Sequence, residues 1–144
     1  MTAPNERYRT FLEKLTLETL ERLPDHVTPD VRFKDPFNDV RGADAMARVF
    51  RHMFANVRNV RFTVHHALAS EDTGLMSWRF QGILSGKPWS FEGTSVLRFA
   101  PDGRVAEHID YWDAATEFYE RFPVIGWLLA VLRRRLGVRE RSDF

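Results

Sequence analysis

No cysteine occurs in this chain. That excludes disulfides, thiolate metal sites and thiol nucleophiles. Charge of one sign is not in excess either. The formal net charge is +1, which leaves no electrostatic footprint for nucleic acid. Long apolar runs are missing: the longest, from Pro123 to Leu132, is about half of what a bilayer-spanning helix needs. The opening residues, Met1-Thr2-Ala3-Pro4-Asn5-Glu6-Arg7, lack the apolar segment of a signal peptide, so a cytoplasmic protein is expected. There is no glycine-rich phosphate loop and no Gly-x-Ser-x-Gly elbow, which removes nucleotide binding and serine hydrolysis.

What is present is apolar bulk. With 144 residues, 44% of them hydrophobic and 28% charged, a single domain over residues 1–144 with a real core is expected. Aromatics reach 13%, with twelve Phe and four Trp. On composition they fit a bulky core and an aromatic-lined cavity equally well.

Periodicity sets out the elements. Phe11, Leu12, Leu15, Leu17, Leu20 and Leu23 recur near helical spacing, which predicts an amphipathic helix from about Glu6 to Arg22, stopped before Pro24. Short strands flank the Asp35-Pro36 break, at Val31–Phe33 and Val40–Arg41. A second helix opens at Gly42 and Asp44. From Val60 the period becomes two, with Val60, Phe62, Val64, His66 and Leu68 on one face of a strand. Strands follow from Leu75 to Leu84, Trp89 to Phe99 and Arg104 to Trp112, joined by short turns. Ala114 to Arg121 and Val124 to Leu136 read as helices, and the tail from Gly137 is polar. The fold class is α+β: a curved antiparallel sheet with helices packed on one face.

Two acid-plus-aromatic clusters stand out on this frame. Asp35 lies between Phe33 and Phe37, directly before Pro36, which biases it to extended backbone. His108, Asp110 and Trp112 share one face of the last strand, opposite Val105, Glu107, Ile109 and Tyr111. Carboxylates beside apolar rings are what small-molecule chemistry or binding needs. No metal is expected. His65 and His66 point to opposite faces, His26 and His52 are isolated, and His108 with Asp110 supplies only two ligands.

This order of elements, with Phe33-Lys34-Asp35-Pro36 closing the first strand and Asp110-Tyr111-Trp112-Asp113 closing the last, resembles the nuclear transport factor 2-like superfamily. The SnoaL-like and ketosteroid isomerase-like branch is the nearest in pattern, over roughly Glu6 to Trp112. The resemblance implies a cone whose sheet and first helix enclose an apolar pocket, and a homodimer through the open sheet face. It places Phe11, Leu15, Phe33, Phe37, Trp78, Ser95 and Trp112 in the pocket lining.

The resemblance also suggests activities. Asp35 matches the isomerase base, but the isomerase's two oxyanion donors fall at Phe11 and near Ser95. Losing such a donor costs on the order of 100- to 1000-fold in rate, which disfavours that route. Limonene epoxide hydrolases have a last-strand segment like Asp110-Tyr111-Trp112-Asp113, yet Arg79 has no neighbouring carboxylate to complete their water-activating set. SnoaL-like cyclases require only a carboxylate and a shaped cavity, which Asp35, His108 and Asp110 could supply. The expected function is cofactor-independent acid–base chemistry on a small apolar, carbonyl-type or lipid-like substrate. Asp35 would be the base, with His108 and Asp110 as partners. A non-catalytic ligand carrier and a homodimeric interaction module are the alternatives.

The C-terminal stretch joins an apolar surface (Phe118, Phe122, Val124, Ile125, Trp127, Leu128, Val131, Leu132, Leu136) to Arg133, Arg134, Arg135, Arg139 and Arg141. Two readings stand. One is a membrane-surface helix with a basic end. The other, plainer one is a helix that closes the cone mouth, packs on a dimer partner or lids a greasy ligand, its arginines favoured by the helix dipole.

Overall fold

The computed structural model describes residues 3–137, apart from the side chain of Glu120. The polar tail beyond Gly137, with Arg139 and Arg141, lies outside the described residues. The chain divides into two compact units, Met1–Trp112 and Asp113–Phe144.

In the first unit, helix α1 runs Pro4–Glu13 and buries Tyr8, Phe11 and Leu12. Full burial of such side chains contributes about 1.5–3 kcal/mol each. The helix does not continue to Arg22 as its apolar spacing predicts. Thr16 and Thr19 exchange backbone and hydroxyl hydrogen bonds at 2.8 and 3.1 Å, which replace the helical bonds there. Leu17 is left 57% exposed. Leu20 and Leu23 still reach the core, carried by a 3-10 turn at Thr19–Arg22 and by α2, Leu23–His26. Pro24 opens that turn rather than ending a helix, since its missing N–H costs nothing in a first helical turn.

Strands β1 (Val27–Lys34), β2 (Asp39–Arg41), β3 (Val57–Ser70), β4 (Thr73–Leu84), β5 (Lys87–Phe99) and β6 (Val105–Tyr111) form one curved, unclosed sheet in the order β2-β1-β6-β5-β4-β3. Helix α3, Ala43–Asn56, lies between β2 and β3 in sequence and buries Met46 and Ala47. From β3 to β6 the sheet is an antiparallel meander, as the alternating pattern predicts. The pairing of β1 with β6 is parallel. No local pattern reports it, because the two strands are far apart in the chain.

Among the sheet's register shifts, two move residues off the faces that alternation predicts. In β3 the register shifts between Val64 and His66, so His66 pairs with Ser77 and Leu68 with Leu75 on the outer face. Leu68 is consequently 70% exposed, not inward as strict alternation predicts. In β6 the register slips at Ala106, since Arg98 pairs with Glu107 but Phe99 with Val105. Val105 is therefore buried together with His108 and is not on the opposite face. The inward set of β4 and β5 is Met76, Trp78, Phe80, Trp89, Phe91, Ser95, Leu97 and Phe99.

Gly93 on β5 pairs with Trp78 on β4. A β-carbon at Gly93 would lie 2.6 Å from the Trp78 indole and 2.9 Å from the Tyr111 carbonyl. The missing side chain is what lets the indole lie across β5.

In the second unit, α4 (Ala114–Glu117) is capped by the Asp113 side chain, which accepts from the Thr116 N–H at 3.1 Å. A 3-10 turn follows at Tyr119–Arg121, then α5 at Pro123–Leu136. The helix expected from Ala114 to Arg121 is thus interrupted at Phe118, whose φ of −127° is not helical. Among the described residues no helix is long and apolar enough to cross a membrane.

Candidate acid–base site

Strands β1 and β6 run side by side, with Phe33 opposite His108 and Lys34 opposite Ile109. Asp35 and Asp110 are the next residues on each, so both acids leave the parallel pair at the same level. Two sequence clusters separated by about half of the chain thereby become neighbours. Among the described residues no group of three or more His, Asp or Glu could hold a metal ion.

Asp110 sits in a directional network. Tyr8 Oη lies 2.7 Å from His108 Nδ1. His108 Nε2 lies 2.6 Å from Asp110 Oδ1. Ser95 donates its hydroxyl to the same oxygen at 2.5 Å and accepts from Trp78 Nε1–H at 2.8 Å. Burial, reinforced by the charge of Asp110, raises the Tyr8 phenol well above its ordinary range, so it stays a donor. In the tautomer that satisfies both contacts, the Tyr8 hydroxyl donates to His108 Nδ1 and Nε2–H donates to Asp110. His108 is 2% exposed, with the rings of Tyr8 and Phe33 against it at 5.6 and 5.0 Å. Asp110 Oδ2 accepts no hydrogen bond from a described residue, and the side chain keeps 17% of its surface open.

Asp35 is held differently. Its Oδ1 accepts from the backbone N–H groups of Phe37 (2.8 Å) and Asn38 (2.7 Å) and from Asn38 Nδ2 (3.1 Å). This closes the turn between β1 and β2. Burial raises the Asp35 carboxyl above its ordinary value. The turn's hydrogen bonds oppose that shift, and the charge of Asp110 adds to it.

Aromatic rings stand around these acids. Phe37 meets Trp112 edge-on at 5.3 Å, Trp112 stacks on Phe91 at 4.2 Å, and Phe91 contacts Trp78 at 5.8 Å. Phe50 of α3 contacts Phe33 at 5.4 Å. Of the residues expected in a pocket lining, Phe33, Trp78, Ser95 and Trp112 belong to this assembly and Phe37 borders it. Phe11 stacks on His26 at 4.2 Å, one helical turn from Tyr8. Leu15 is half-buried beyond the end of α1. Arg79 is exposed, bonds Ser90 Oγ at 3.2 Å and lies on the face opposite Trp78. It is not placed to serve Asp110.

Tyr8 is the residue that sequence reasoning missed. The signal was there: Tyr8 and Phe11 share one helix face at i, i+3 spacing. The position that the resemblance gives to an oxyanion donor, Phe11, lies one turn later.

No curated protein matches the sequence significantly. Solved structures match the fold closely. An NTF2-like protein of unknown function from Burkholderia pseudomallei is 17% identical, with 96% of this chain and 100% of that one covered at a TM-score of 0.70. An LEH-like epoxide hydrolase from M. tuberculosis is 21% identical, with 90% and 95% covered and a TM-score of 0.68. A ketosteroid isomerase-like fold protein from Catenulispora acidiphila, in complex with trimethylamine, is 16% identical, with 81% and 91% covered and a TM-score of 0.67. At these identities the likeness shows the fold. The model of the SnoaL-like domain matches residues 8–108, from Tyr8 through His108, and the chain belongs to that family.

Proposed function

We propose that the Met1–Trp112 unit is a cofactor-independent acid–base catalyst for a small, mostly apolar, carbonyl-type substrate. The observation that carries this reading is the state of Asp110. Two buried donors fix its Oδ1, and Oδ2 takes no hydrogen bond from a described residue. One oxygen is held and the other is free to take a proton. We give Asp110 the lead role over Asp35, because both Asp35 oxygens are engaged by its own turn, Oδ1 by three donors and Oδ2 by Asn38 Nδ2 at 3.3 Å.

The chemistry follows from the geometry. Asp110 Oδ2 removes a proton from the carbon beside the carbonyl. The C–H pair becomes a C=C bond as the carbonyl π pair moves to oxygen. Asp35, whose proton affinity is raised, gives that oxygen a proton in its acid form. In a β,γ-unsaturated substrate the product is a dienol. The cycle closes when Asp110 returns its proton to the γ-carbon, the double bond moves into conjugation with the re-formed carbonyl, and Asp35 recovers its own proton. In a saturated ketone the proton returns to the same carbon, which is exchange. Where a second carbonyl lies in reach, the enol carbon attacks it instead, and the Asp110 proton goes to the new alkoxide. The surrounding rings keep water away from both carboxyls and strengthen each proton transfer. Membership of the SnoaL-like family supports this class of reaction, and the outward Arg79 counts against water activation.

Proton exchange beside the carbonyl of cyclic and aryl ketones in D2O, followed by NMR, tests the assignment. Exchange above the buffer rate should fall about 100- to 10,000-fold in Asp110→Asn. Unchanged exchange in that variant overturns it. Ligand retention with no exchange in any variant assigns the site to carriage instead.

A homodimer through the outer sheet face is the companion reading. Leu68, Leu75, Val96 and Ile109 form one row across β3, β4, β5 and β6. Arg98, Glu107 and Arg32 lie in the neighbouring row. An apolar row beside charges of both signs can pair with its own copy about a two-fold axis. Sedimentation equilibrium decides it.

A further inference from the structure

We infer that helix α5, Pro123–Leu136, docks on an anionic lipid surface. Val124, Ile125, Trp127, Leu128, Leu132 and Leu136 are all exposed, Trp127 by 63% of its surface. At 3.6 residues per turn these side chains cover roughly half the helix circumference. Gly126, on the opposite side, is buried. A single partner helix covers a narrower stripe than this, whereas a flat apolar layer covers half a cylinder.

Charge selects the kind of surface. The helix contains no Asp or Glu, and Arg133, Arg134 and Arg135 fill its last turn. The helix dipole favours cations there, which accounts for the arginines but not for the apolar half left open. Anionic headgroups over an acyl layer account for both. At 100° per residue Arg135 falls within the apolar half and Arg133 and Arg134 lie beyond its two edges, so long arginine stems would carry the guanidinium groups to the phosphates. The helix is about 21 Å long and does not span, so it lies in the interface plane. This inference is independent of the acid–base assignment.

The test is co-sedimentation of the full chain with phosphatidylcholine vesicles, with and without phosphatidylglycerol. Binding is expected only with the anionic lipid. At roughly fivefold per charge, the triple change Arg133→Gln, Arg134→Gln, Arg135→Gln should weaken it about 100-fold, and Leu128→Ser with Leu132→Ser should abolish it. Trp127 emission should shift to the blue on binding. Trp127→Phe should lose that shift yet keep co-sedimenting, which separates docking from misfolding. Failure of the unaltered chain to bind anionic vesicles overturns the inference, as does binding that is indifferent to the arginine change. Dissociation of a soluble oligomer by Leu128→Ser with Leu132→Ser, without vesicle binding, gives the face to a second copy.

Discussion

The Tyr8 hydroxyl and His108 Nδ1 are 2.7 Å apart across 100 residues of sequence. That bond ties the first helix to the last strand of the sheet, and its far end is the carboxylate of Asp110. The helix thereby sets the orientation of a ring it could not find by local sequence.

Tyr8→Phe keeps the ring and removes the donor. The buried His108 Nδ1 is then left without its partner, at a cost of about 1–3 kcal/mol. Urea denaturation at neutral pH should show that loss, and the His108 ring resonances should shift in NMR. A variant as stable as the parent, with unmoved imidazole resonances, would mean that the bond is absent in solution.

Gly93→Ala places a methyl group 2.6 Å from the Trp78 indole and 2.9 Å from the Tyr111 carbonyl. The indole must swing away from Ser95 or the strands must part. Overpacking of this kind costs about 1–3 kcal/mol. A lowered midpoint with altered near-UV dichroism is expected. An unchanged midpoint contradicts the close approach of Trp78 to β5.

The pH dependence of Asp35 has a definite sign. Burial raises its folded-state affinity for a proton above that of the unfolded chain. Its favourable contribution is therefore present below the ordinary carboxylate range and is lost as pH rises through the raised value. Relative to Asp35→Asn, whose amide oxygen still accepts from the turn, the parent should lose stability as pH climbs from about 4. Denaturation of both proteins across that range measures the slope. A parent that gains on the variant with rising pH would show a depressed carboxyl and remove Asp35 as proton donor.

Leu75→Lys puts a charge into the middle of the apolar row on the outer face, where Leu75 is exposed. The fold should be unaffected, since the residue is not in the core. The sedimentation mass should fall from dimer to monomer. A parent that is already monomeric at micromolar concentration removes the dimer.

Much of the first unit was legible because strand burial is local. The alternation in β4 and β5 marks its own inward face, and the Asp35-Pro36 break marks the end of β1. The misses are of another kind. Thr16 and Thr19 end α1 through hydroxyl bonds that hydrophobic spacing does not report. The slips at His65 and Ala106 are set by pairing with the neighbouring strand, which local alternation does not report. Both carboxylates were visible as candidates, but not how each is held. Asp35 closes a turn of four consecutive residues, whereas Asp110 is held by Ser95 of β5 and His108 of β6, and His108 in turn by Tyr8 of α1.

By itself, then, the order of residues determined most element types, the inward face of β4 and β5 and the presence of acids beside aromatic rings. Those depend on side-chain polarity at spacings of two to four residues, which the backbone geometry of strands and helices imposes directly. Only the tertiary structure decided that β1 lies parallel to β6, that Asp35 and Asp110 become neighbours, and that Tyr8 rather than Phe11 reaches His108. Each of these is a contact between segments distant in the chain. It is chosen by the packing of the whole unit and leaves no period in the sequence to read.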